Sequence, residues 1–345
     1  MIRKIIEKWW HNLIYEPGDP RLLSGGRIKI VAVGGGSGLA TALRGLKKYS
    51  NDISAIVAVT DDGASSGRLR DEFDVLPPGD IRKSISALTY DENLLSELLE
   101  YRFPGKTKSL SGHTLGNVWI SALTKHYKSF AKSVEITSQV FSTAGRIYPA
   151  TLDNIKIGAE YEKGRKIIGE SKIPQPGRKI SRIFLNKKNV RAYPKAVLAI
   201  KEADLIILGP GSLYTSVIPN LLISGIRLAV KNNKEALKIY VANCSNERGE
   251  TEGYGVSDHI KAVIDHGGKI FDYCLVNNHL IEKTKEYSKL GKINNITTDK
   301  EEIFGVKILL FDIINHKMPL YHDSNKLASS LIKIYQKEKK QRTSQ

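Results

Sequence analysis

Five short runs of valine, isoleucine and leucine recur along the chain, each followed by a loop rich in glycine and polar residues. We interpret these runs as buried strands, namely Ile28–Val33, Ile53–Val59, Leu205–Leu208, Ile239–Ala242 and Tyr273–Val276. Several of the loops lead into a helical periodicity, at Leu39–Tyr49, Ile81–Tyr90 and His259–His266. Fully apolar strands that alternate with helices indicate βαβ units and a parallel sheet covered on both faces. The pattern therefore predicts an α/β protein with a doubly wound, mostly parallel sheet.

The region from 133 to 190 has a different period. Apolar and polar residues alternate along Ile155–Tyr161, which is typical of a strand with one solvated face. Glu162–Arg165 predicts a hairpin turn, and Ile167–Glu170 the returning strand. We therefore expect a β-rich insertion at 133–190 within one large domain that spans 28–325.

Residues 1–27 form a separable N-terminal extension. Ile5, Trp9 and Leu13 fall on one face of a short amphipathic helix that ends before Pro17. Such a basic helix either packs on its own domain or lies on a membrane surface, and the sequence leaves both interpretations open.

The C-terminal part of the chain predicts one more strand and one more helix. The strand is expected within Ile303–Ile314, and Asp323 and Ser324 are suited to cap a helix that runs to about Gln336. This helix and a basic tail make up 326–345, and we expect the last nine residues to be frayed.

Composition excludes several classes of protein. With 345 residues, 41% of them hydrophobic and 26% charged, the chain is neither a disordered nor a fibrous protein. No uninterrupted apolar run reaches the roughly 18–20 residues of a membrane span, and the first ten residues lack the features of a signal peptide. Two cysteines, Cys244 and Cys274, provide no disulfide framework, so a reducing, cytoplasmic location fits best.

The chain is strongly basic, with 53 lysines and arginines against 36 acidic residues and a net charge of +17. This charge favours anionic partners such as nucleotides and phosphates. Apart from Lys337, Lys339, Lys340 and Arg342 in the tail, the basic residues are spread along the chain. No nucleic-acid-binding module with interleaved aromatic residues is evident, so the sequence does not favour nucleic acid as a partner.

The first loop with candidate chemistry is Gly34–Gly38, between the first strand and a helix. Glycine lets the backbone approach an anion closely, and the helix N-terminus supplies free N–H groups. The loop is neither a P-loop nor a Gly-x-Gly-x-x-Gly fingerprint, because Leu39 stands where the last glycine of that fingerprint belongs.

The second loop, Thr60–Arg70, follows the second strand. Asp61 and Asp62 are suited either to hold Mg²⁺ or to accept hydrogen bonds from ribose hydroxyls, and both roles stay open. The serines and arginines of the same loop are suited to bind a diphosphate. Asp80, at the end of Pro77–Asp80, is expected to cap the next helix.

Three further loops repeat the combination of glycine and hydrogen-bonding residues, and they comprise Ser111–Asn117, Leu208–Asn220 and Ala242–Tyr254. Together the five loops describe a mouth shaped for phosphates and sugars at the carboxyl ends of the strands. No catalytic residue is assigned. The predicted ligand-binding residues are Gly34, Gly35, Gly36, Ser37, Gly38, Thr60, Asp61, Asp62, Ser65, Ser66, Arg68, Asp80, His113, Asn117, Gly209, Gly211, Ser212 and Asn243.

With these motifs in this order, the chain resembles the gluconeogenesis factors of the YvcK type, relatives of the CofD-like 2-phospho-L-lactate transferases. The motifs are Gly34–Gly38, Thr60–Arg70, Pro77–Arg82, Gly112–Asn117 and Leu208–Ser216, and the likeness runs from about Ile28 to Leu327. The chain departs from the usual family pattern at Ser245–Thr251.

The resemblance implies a Rossmann-like core and a cytoplasmic protein that binds a uridine-diphosphate amino sugar such as UDP-N-acetylglucosamine. It also implies a role in cell shape and envelope maintenance during gluconeogenic growth. The related transferases use Mg²⁺, and their acidic metal-binding segment corresponds to Thr60–Asp62 here.

The sequence therefore favours a nucleotide-sugar-binding regulatory protein without a required cofactor, acting through unidentified protein partners. The alternative is an Mg²⁺-dependent, CofD-like transferase with a nucleotide-diphosphate donor, with Asp61 and Asp62 as metal ligands. A nucleic-acid-binding or peripheral membrane protein is the least favoured reading, and a homo-oligomer is left open.

Overall fold

The structure is a computed structural model that describes residues 28–90, 94–105, 110–175, 177–280 and 295–343. The predicted amphipathic extension at 1–27 lies outside the described residues.

Strands and helices alternate over most of the described chain. The strands are β1 (Ile30–Gly34), β2 (Ile53–Val57), β3 (Gly145–Pro149), β4 (Ile157–Tyr161), β5 (Lys166–Ile168), β6 (Ile180–Leu185), β7 (Leu205–Leu208), β8 (Leu237–Val241), β9 (Tyr273–Asn277), β10 (Glu302–Ile303) and β11 (Val306–Phe311). The helices are α1 (Gly36–Leu46), α2 (Ala64–Phe73), α3 (Gly79–Leu88), α4 (Leu94–Glu100), α5 (Leu115–Tyr127), α6 (Phe130–Val140), α7 (Pro194–Lys201), α8 (Ile218–Leu222), α9 (Ser224–Asn232), α10 (Val256–Gly267) and α11 (Ser324–Thr343).

Eight strands form the main sheet in the order β10-β11-β9-β8-β7-β1-β2-β3. All neighbours are parallel except β10, which pairs antiparallel with β11. From β1 the strand order runs through β2 to β3 on one side and through β7, β8 and β9 to β11 on the other. The strand order therefore reverses between β1 and β7, and ligands bind at such a position in open α/β sheets.

The sheet separates two apolar cores, because its strands are buried on both faces. Val31 and Val33 of β1 face the core that includes α7 to α10 and the insertion. Ile30 and Ala32 face the opposite core, which includes α1, α3 and α11. All five predicted strands form, and the prediction of a Rossmann-like α/β fold is confirmed.

A second, three-stranded antiparallel sheet with the order β5-β4-β6 follows β3. The turn at Glu162–Arg165 joins β4 to β5 as the alternation predicts. The β-rich part is narrower than 133–190, since 133–140 belong to α6 and β3 pairs with β2 of the main sheet. Residues 145–149 form a strand of the main sheet. The alternation of apolar and polar residues along a strand does not indicate which of the two sheets the strand joins.

The last helix is longer than the sequence predicts. Asp323 caps it, accepting hydrogen bonds from the backbone N–H groups of Asn325 and Lys326 at 2.9 Å each. The helix continues to Thr343, so the expectation that the last nine residues are frayed is wrong for 337–343, and 344–345 lie outside the described residues. Tyr273 donates a 2.7 Å hydrogen bond to Glu338, and this long-range contact stabilises the part of the helix beyond Gln336.

The predicted strand at Ile303–Ile314 is present as two pieces, β10 and β11, that form a tight hairpin. Phe304 and Gly305 make its turn, both with positive φ. Cys244 and Cys274 are buried and free, in line with the prediction of no disulfide between them.

Within the described part of the chain, no single helix has the length and apolar character to cross a membrane. Leu213–Leu222 and Ser224–Asn232 reach those limits only when taken together, and they are bent by 81° relative to one another.

Close packing of α1 against α11 leads to a first prediction, for Gly45→Ala. An ideal Cβ on Gly45 would lie 1.9 Å from the Ser324 backbone oxygen and 2.7 Å from Ala328 Cβ. Alanine in place of glycine in an exposed helix stabilises by about 1 kcal/mol. Here we expect the free energy of unfolding to fall by about 1–3 kcal/mol, because the two helices must separate. Urea denaturation measures this change.

Thr41→Ala on the same helix is the control, because the Thr41 hydroxyl bonds only the Ser37 backbone within its own helix. A stability of Gly45→Ala equal to or above that of the wild type would contradict the tight contact.

Candidate functional site

The five loops that the sequence singles out meet at the carboxyl ends of β1, β2, β7 and β8. The backbone N–H of Gly209 donates to Val33 at 2.8 Å, which joins the loop after β7 to β1. An ideal Cβ on Gly38 would lie 2.7 Å from Gly211 Cα, so the two glycine loops are in direct backbone contact. Glycine at position 38 is therefore a steric requirement of the junction, and the φ of +147° at Gly211 favours glycine there.

A buried asparagine fixes this junction. The Asn220 side-chain amide donates to the backbone oxygens of Gly34 at 3.1 Å and Ser216 at 2.8 Å. Asn220 is fully buried, so both bonds are shielded from water. The first loop is therefore held by Asn220 of α8, at the end of the fourth loop.

Asp80 lies at the N-terminus of α1 rather than at the cap of its own helix. The N-cap of α3 is Pro78, so the prediction of Asp80 as that cap is wrong. Its Oδ2 instead accepts a 2.8 Å hydrogen bond from the backbone N–H of Gly36, whose φ is +64°. Lys83 Nζ lies 3.0 Å from the other oxygen, Oδ1. A carboxylate thus occupies the position at which a helix N-terminus binds anions.

Three more carboxyl groups surround Asp80. Burial raises the pKa of Asp61, and the charge of Asp80 raises it further. Glu170, on a short 3₁₀ turn of the insertion, accepts a 2.7 Å hydrogen bond from the Thr60 hydroxyl. Burial raises the pKa of Glu170 well above its ordinary value, with Asp80, Asp61 and Asp62 adding to the effect. We refer to Asp61, Asp62, Asp80 and Glu170 as the acidic cluster.

The insertion reaches this cluster through a second contact. Asp62 Oδ1 accepts a 2.8 Å hydrogen bond from the backbone N–H of Ser171, next to Glu170. Thr60–Arg70 and Pro77–Arg82 of the main domain therefore belong to one site together with the β-rich insertion.

The third loop supports the second from behind. Ser65 Oγ lies 2.9 Å from His113 Nδ1 and accepts a 3.0 Å hydrogen bond from the Asn117 side chain. Arg82 Nε donates to Asn117 Oδ1 at 2.9 Å, and Arg82 forms an ion pair with Glu100. Burial lowers the pKa of His113, so its imidazole is neutral at physiological pH. Ser65, His113 and Asn117 therefore position the loop.

The arginines of the second loop have different environments. Arg70 is buried and donates to Asn154 and to the backbone oxygen of Ile155. Arg68 is exposed, and its guanidinium donates to the backbone oxygen of Ser111 at 2.7 Å. Of the two, Arg68 is the one accessible to a ligand.

Two glutamates that the sequence analysis missed lie against the fourth loop. The Ser212 hydroxyl contacts the carboxylates of both Glu247 and Glu250, the second at 2.7 Å. Asn243 donates to Glu247 at 3.0 Å and accepts from the Gly211 N–H at 3.3 Å. Burial raises the pKa of Glu247, and burial together with the Glu247 charge raises that of Glu250.

The structure thus brings almost all predicted residues into one region, with some in supporting rather than exposed positions. Gly34, Gly35, Gly36, Gly38, Asp61, Asp62, Asp80, Gly209, Gly211, Ser212 and Asn243 lie around the junction, whereas Thr60, Ser65, Ser66, His113 and Asn117 are buried beneath it. Ser37 is exposed on α1, with its backbone oxygen bonded to Thr41. Sequence reasoning missed four residues of this region, Lys83, Glu170, Glu247 and Glu250. Of these four, Glu247 and Glu250 lie within a loop that the sequence singled out, Ala242–Tyr254.

The region has a mixed electrostatic environment, because Lys83 and Arg68 bring positive charge and the acidic cluster brings negative charge. Carboxylate oxygens are the ligands that Mg²⁺ prefers, and Asp61 and Asp62 are the residues that would hold such an ion.

Comparison with known proteins gives a consistent picture. The family of 2-phospho-L-lactate transferase CofD matches residues 30–314. The gluconeogenesis factor of Bacillus subtilis is 41% identical over 315 residues, which cover 90% of this chain and 99% of that protein. The gluconeogenesis factor of Halalkalibacterium halodurans is 40% identical over 309 residues, 88% of this chain and 95% of that protein.

Solved structures agree with the sequence comparison. A crystal structure of a UPF0052 family member from Bacillus halodurans matches with a TM-score of 0.84 at 39% identity. The match covers 89% of this chain and 99% of the other, so the similarity includes both the main sheet and the loops of the candidate site.

The buried glutamate pair leads to a prediction for Glu250→Gln. Because the folded protein holds a proton that the unfolded chain releases near the ordinary value of 4.5, the native state binds more protons above that pH. The free energy of unfolding should fall as pH rises from that value through the raised pKa. Glutamine keeps the shape but cannot ionise, so the variant should lose less stability than the wild type between about pH 5 and pH 8. Urea denaturation across this range measures the slope.

Glu162→Gln is the matched control, since Glu162 is exposed in the turn between β4 and β5. An unchanged pH slope in Glu250→Gln would show that the pair carries no proton.

Proposed function

The chain belongs to the CofD family and, within it, to the gluconeogenesis factors, and on that premise we propose that it is a regulatory protein that binds a nucleotide-diphosphate amino sugar. The observation that carries this proposal is the backbone contact between Gly38 and Gly211, where glycine-rich loops from two adjacent strands meet at the reversal of strand order, the place where such sheets bind ligands. The proposed ligand is a uridine-diphosphate amino sugar such as UDP-N-acetylglucosamine.

The two kinds of group around the cleft suit the two parts of such a ligand. Asp80 already accepts from the Gly36 N–H and pairs with Lys83, so the diphosphate would draw on the rest of the first turn of α1 and on Arg68. Carboxylates such as Asp61 and Asp62 accept hydrogen bonds from hydroxyl groups, of which ribose and the sugar each carry several. Asn117 and Asn243 have amides suited to base edges, and both are engaged within the protein. Ser65 and Arg82 bond Asn117, and Gly211 and Glu247 bond Asn243, so a base would have to replace one of these partners.

Regulation follows when the bound and empty forms differ in their affinity for a partner. The contacts of Thr60 with Glu170 and of Asp62 with Ser171 connect the cleft to the insertion. A ligand that engages Asp62 competes with the second contact and thereby alters the insertion surface. The proposed outcome is control of cell shape and envelope maintenance during gluconeogenic growth, in the cytoplasm and through a protein partner.

Ligand binding gives a direct prediction. UDP-N-acetylglucosamine at about 100 times its dissociation constant should stabilise the fold by roughly 2.7 kcal/mol. That corresponds to a rise in Tm of about 5–10 °C, at roughly 2–4 °C per kcal/mol for a domain of this size. Inorganic phosphate and GDP at the same concentration should shift the Tm less. Gly36→Val should abolish the shift, since its φ of +64° disfavours a branched side chain beside the anion position.

Gly164→Val is the matched control, because Gly164 also has a positive φ, of +79°, with nothing within 4 Å of an ideal Cβ. It should lose stability in a similar way and keep the ligand shift. A full shift in folded Gly36→Val would refute the glycine cleft as the diphosphate site.

The acidic cluster favours a second candidate function, an Mg²⁺-dependent transferase with a nucleotide-diphosphate donor. Asp61 and Asp62 would hold Mg²⁺, and the bound ion would supply positive charge against the carboxylates and the diphosphate. Transfer of this kind requires positioning and charge stabilisation more than a protein nucleophile. Asp80 would stay on the Gly36 N–H.

Asp61→Asn separates the two functions. If Asp61 accepts from a ribose hydroxyl, nucleotide affinity should fall by about 1–2 kcal/mol whether or not Mg²⁺ is present. If it binds Mg²⁺, the gain in affinity that the metal confers on the wild type should vanish. Isothermal titration with and without Mg²⁺ measures both. Asp71→Asn, an exposed acid on α2, is the control.

Product release from a nucleotide-diphosphate donor in the presence of Mg²⁺ would establish turnover. Stable binding of a uridine ligand without product, and affinity that is indifferent to Mg²⁺, would refute the transferase.

A further inference from the structure

Two histidines and an aspartate form a compact cluster outside the five loops. The ligand atoms of His279, Asp312 and His316 all lie within 4.8 Å of one another. All three side chains are exposed, and none belongs to a motif that the sequence analysis selected.

The sheet brings two of these residues together. β9 and β11 are parallel neighbours, with Phe311 opposite Asn277, so Asp312 and His279 both follow the carboxyl ends of paired strands. Asn277 is only 3% exposed, and its side chain bonds both loops. Its Oδ1 accepts from the N–H groups of His279 at 3.4 Å and Ile313 at 3.3 Å, and its Nδ2 donates to the His279 backbone oxygen at 2.5 Å.

His316 joins the cluster from the loop that connects β11 to α11. The loop is closed by backbone hydrogen bonds from Asn315 to Tyr321 and from Asp323 to Ile313, at 2.9 Å each. His316 Nε2 lies 3.0 Å from Asp312 Oδ2, and its ring centroid is 4.4 Å from that of His279. The backbone therefore holds the three side chains close together before any ligand binds.

We propose that His279, Asp312 and His316 form a binding site for a divalent transition metal ion of the Zn²⁺, Co²⁺ and Ni²⁺ class. Two imidazoles and one carboxylate form a set of three protein ligands that is common for such ions, and they leave further positions for water or substrate. Donor atoms about 2.0–2.2 Å from one ion lie roughly 3–3.5 Å apart in tetrahedral geometry. Rotation of the exposed imidazoles closes the remaining distance.

Lys326 is the residue that competes with the ion. Its Nζ lies 2.7 Å from Asp312 Oδ2, so the Asp312 carboxylate is already paired. His316 Nε2 and Lys326 Nζ both contact Oδ2, so Oδ1 is the oxygen of this carboxylate that a metal would take. Removal of the lysine charge should strengthen metal binding.

The chemistry of this site differs from that of the acidic cluster. Imidazole nitrogen selects transition metals, whereas the all-oxygen acidic cluster fits Mg²⁺. The two sites also lie on different elements. Asp61 and Asp62 of the acidic cluster follow β2, whereas His279 and Asp312 follow β9 and β11. Failure of one metal proposal therefore leaves the other unaffected.

The test uses the full chain, freed of metal with a chelator, and Co²⁺ as the probe. The d–d absorption of Co²⁺ reports coordination by nitrogen, and competition with Zn²⁺ gives the affinity. We expect saturation at one equivalent, no displacement by a large excess of Mg²⁺, and a loss of affinity of at least about tenfold in both His279→Ala and His316→Ala. Lys326→Ala should bind more tightly.

His126→Ala is the control, because His126 is exposed on α5, makes an edge-on contact with Tyr127 and is not one of the three proposed ligands. It should keep the wild-type affinity, and thermal melting should show that all variants are folded, as expected for exposed side chains. Absence of stoichiometric Co²⁺ binding, or binding that both His279→Ala and His316→Ala leave unchanged, would overturn the proposal.

Discussion

The candidate site depends on one steric constraint, the reversal of strand order between β1 and β7. Because both strands are parallel and adjacent, the loops that leave their carboxyl ends must occupy the same small volume. Gly38 and Gly211 meet there with no room for a Cβ on Gly38, and Gly209 has a φ of +82°. The glycines that the sequence marks as an anion cradle are required first by the packing of two loops. The cleft for a ligand is a consequence of that packing.

A second consequence of the junction is electrostatic. The N–H of Gly36 points to a position that favours negative charge, and Asp80 occupies it with support from Lys83. Ser212, at the other loop, contacts Glu247 and Glu250. The proposed diphosphate would enter among carboxylates, so a compensating cation or a bound proton would decide its affinity. Burial, with the charge of Asp80 adding to it, raises the pKa of Asp61, so the folded protein already disfavours negative charge here.

Sequence reasoning found the strands and the loops because both depend on local patterns. Apolar runs such as Leu205–Leu208 define buried strands without knowledge of their neighbours. It missed features that arise between distant segments. Asp80 has the sequence context of a helix cap, but its partner is the Gly36 N–H, 44 residues away. Glu170 stands alone in the insertion, and only the folded chain brings it to Thr60.

The position of the insertion gives the site its structural logic. The insertion enters after β3, two strands from β1, yet its short 3₁₀ turn lies over the loop that follows β2. Its two hydrogen bonds to that loop involve the Thr60 hydroxyl and the Asp62 carboxylate. Both groups belong to the second loop, Thr60–Arg70. A ligand bound to that loop and the insertion would therefore use the same atoms. A ligand that took over the Asp62 carboxylate would leave the Ser171 N–H without its partner, at a cost comparable to one hydrogen bond. Through those shared atoms, the proposed binding in the cleft would be coupled to the surface of the insertion.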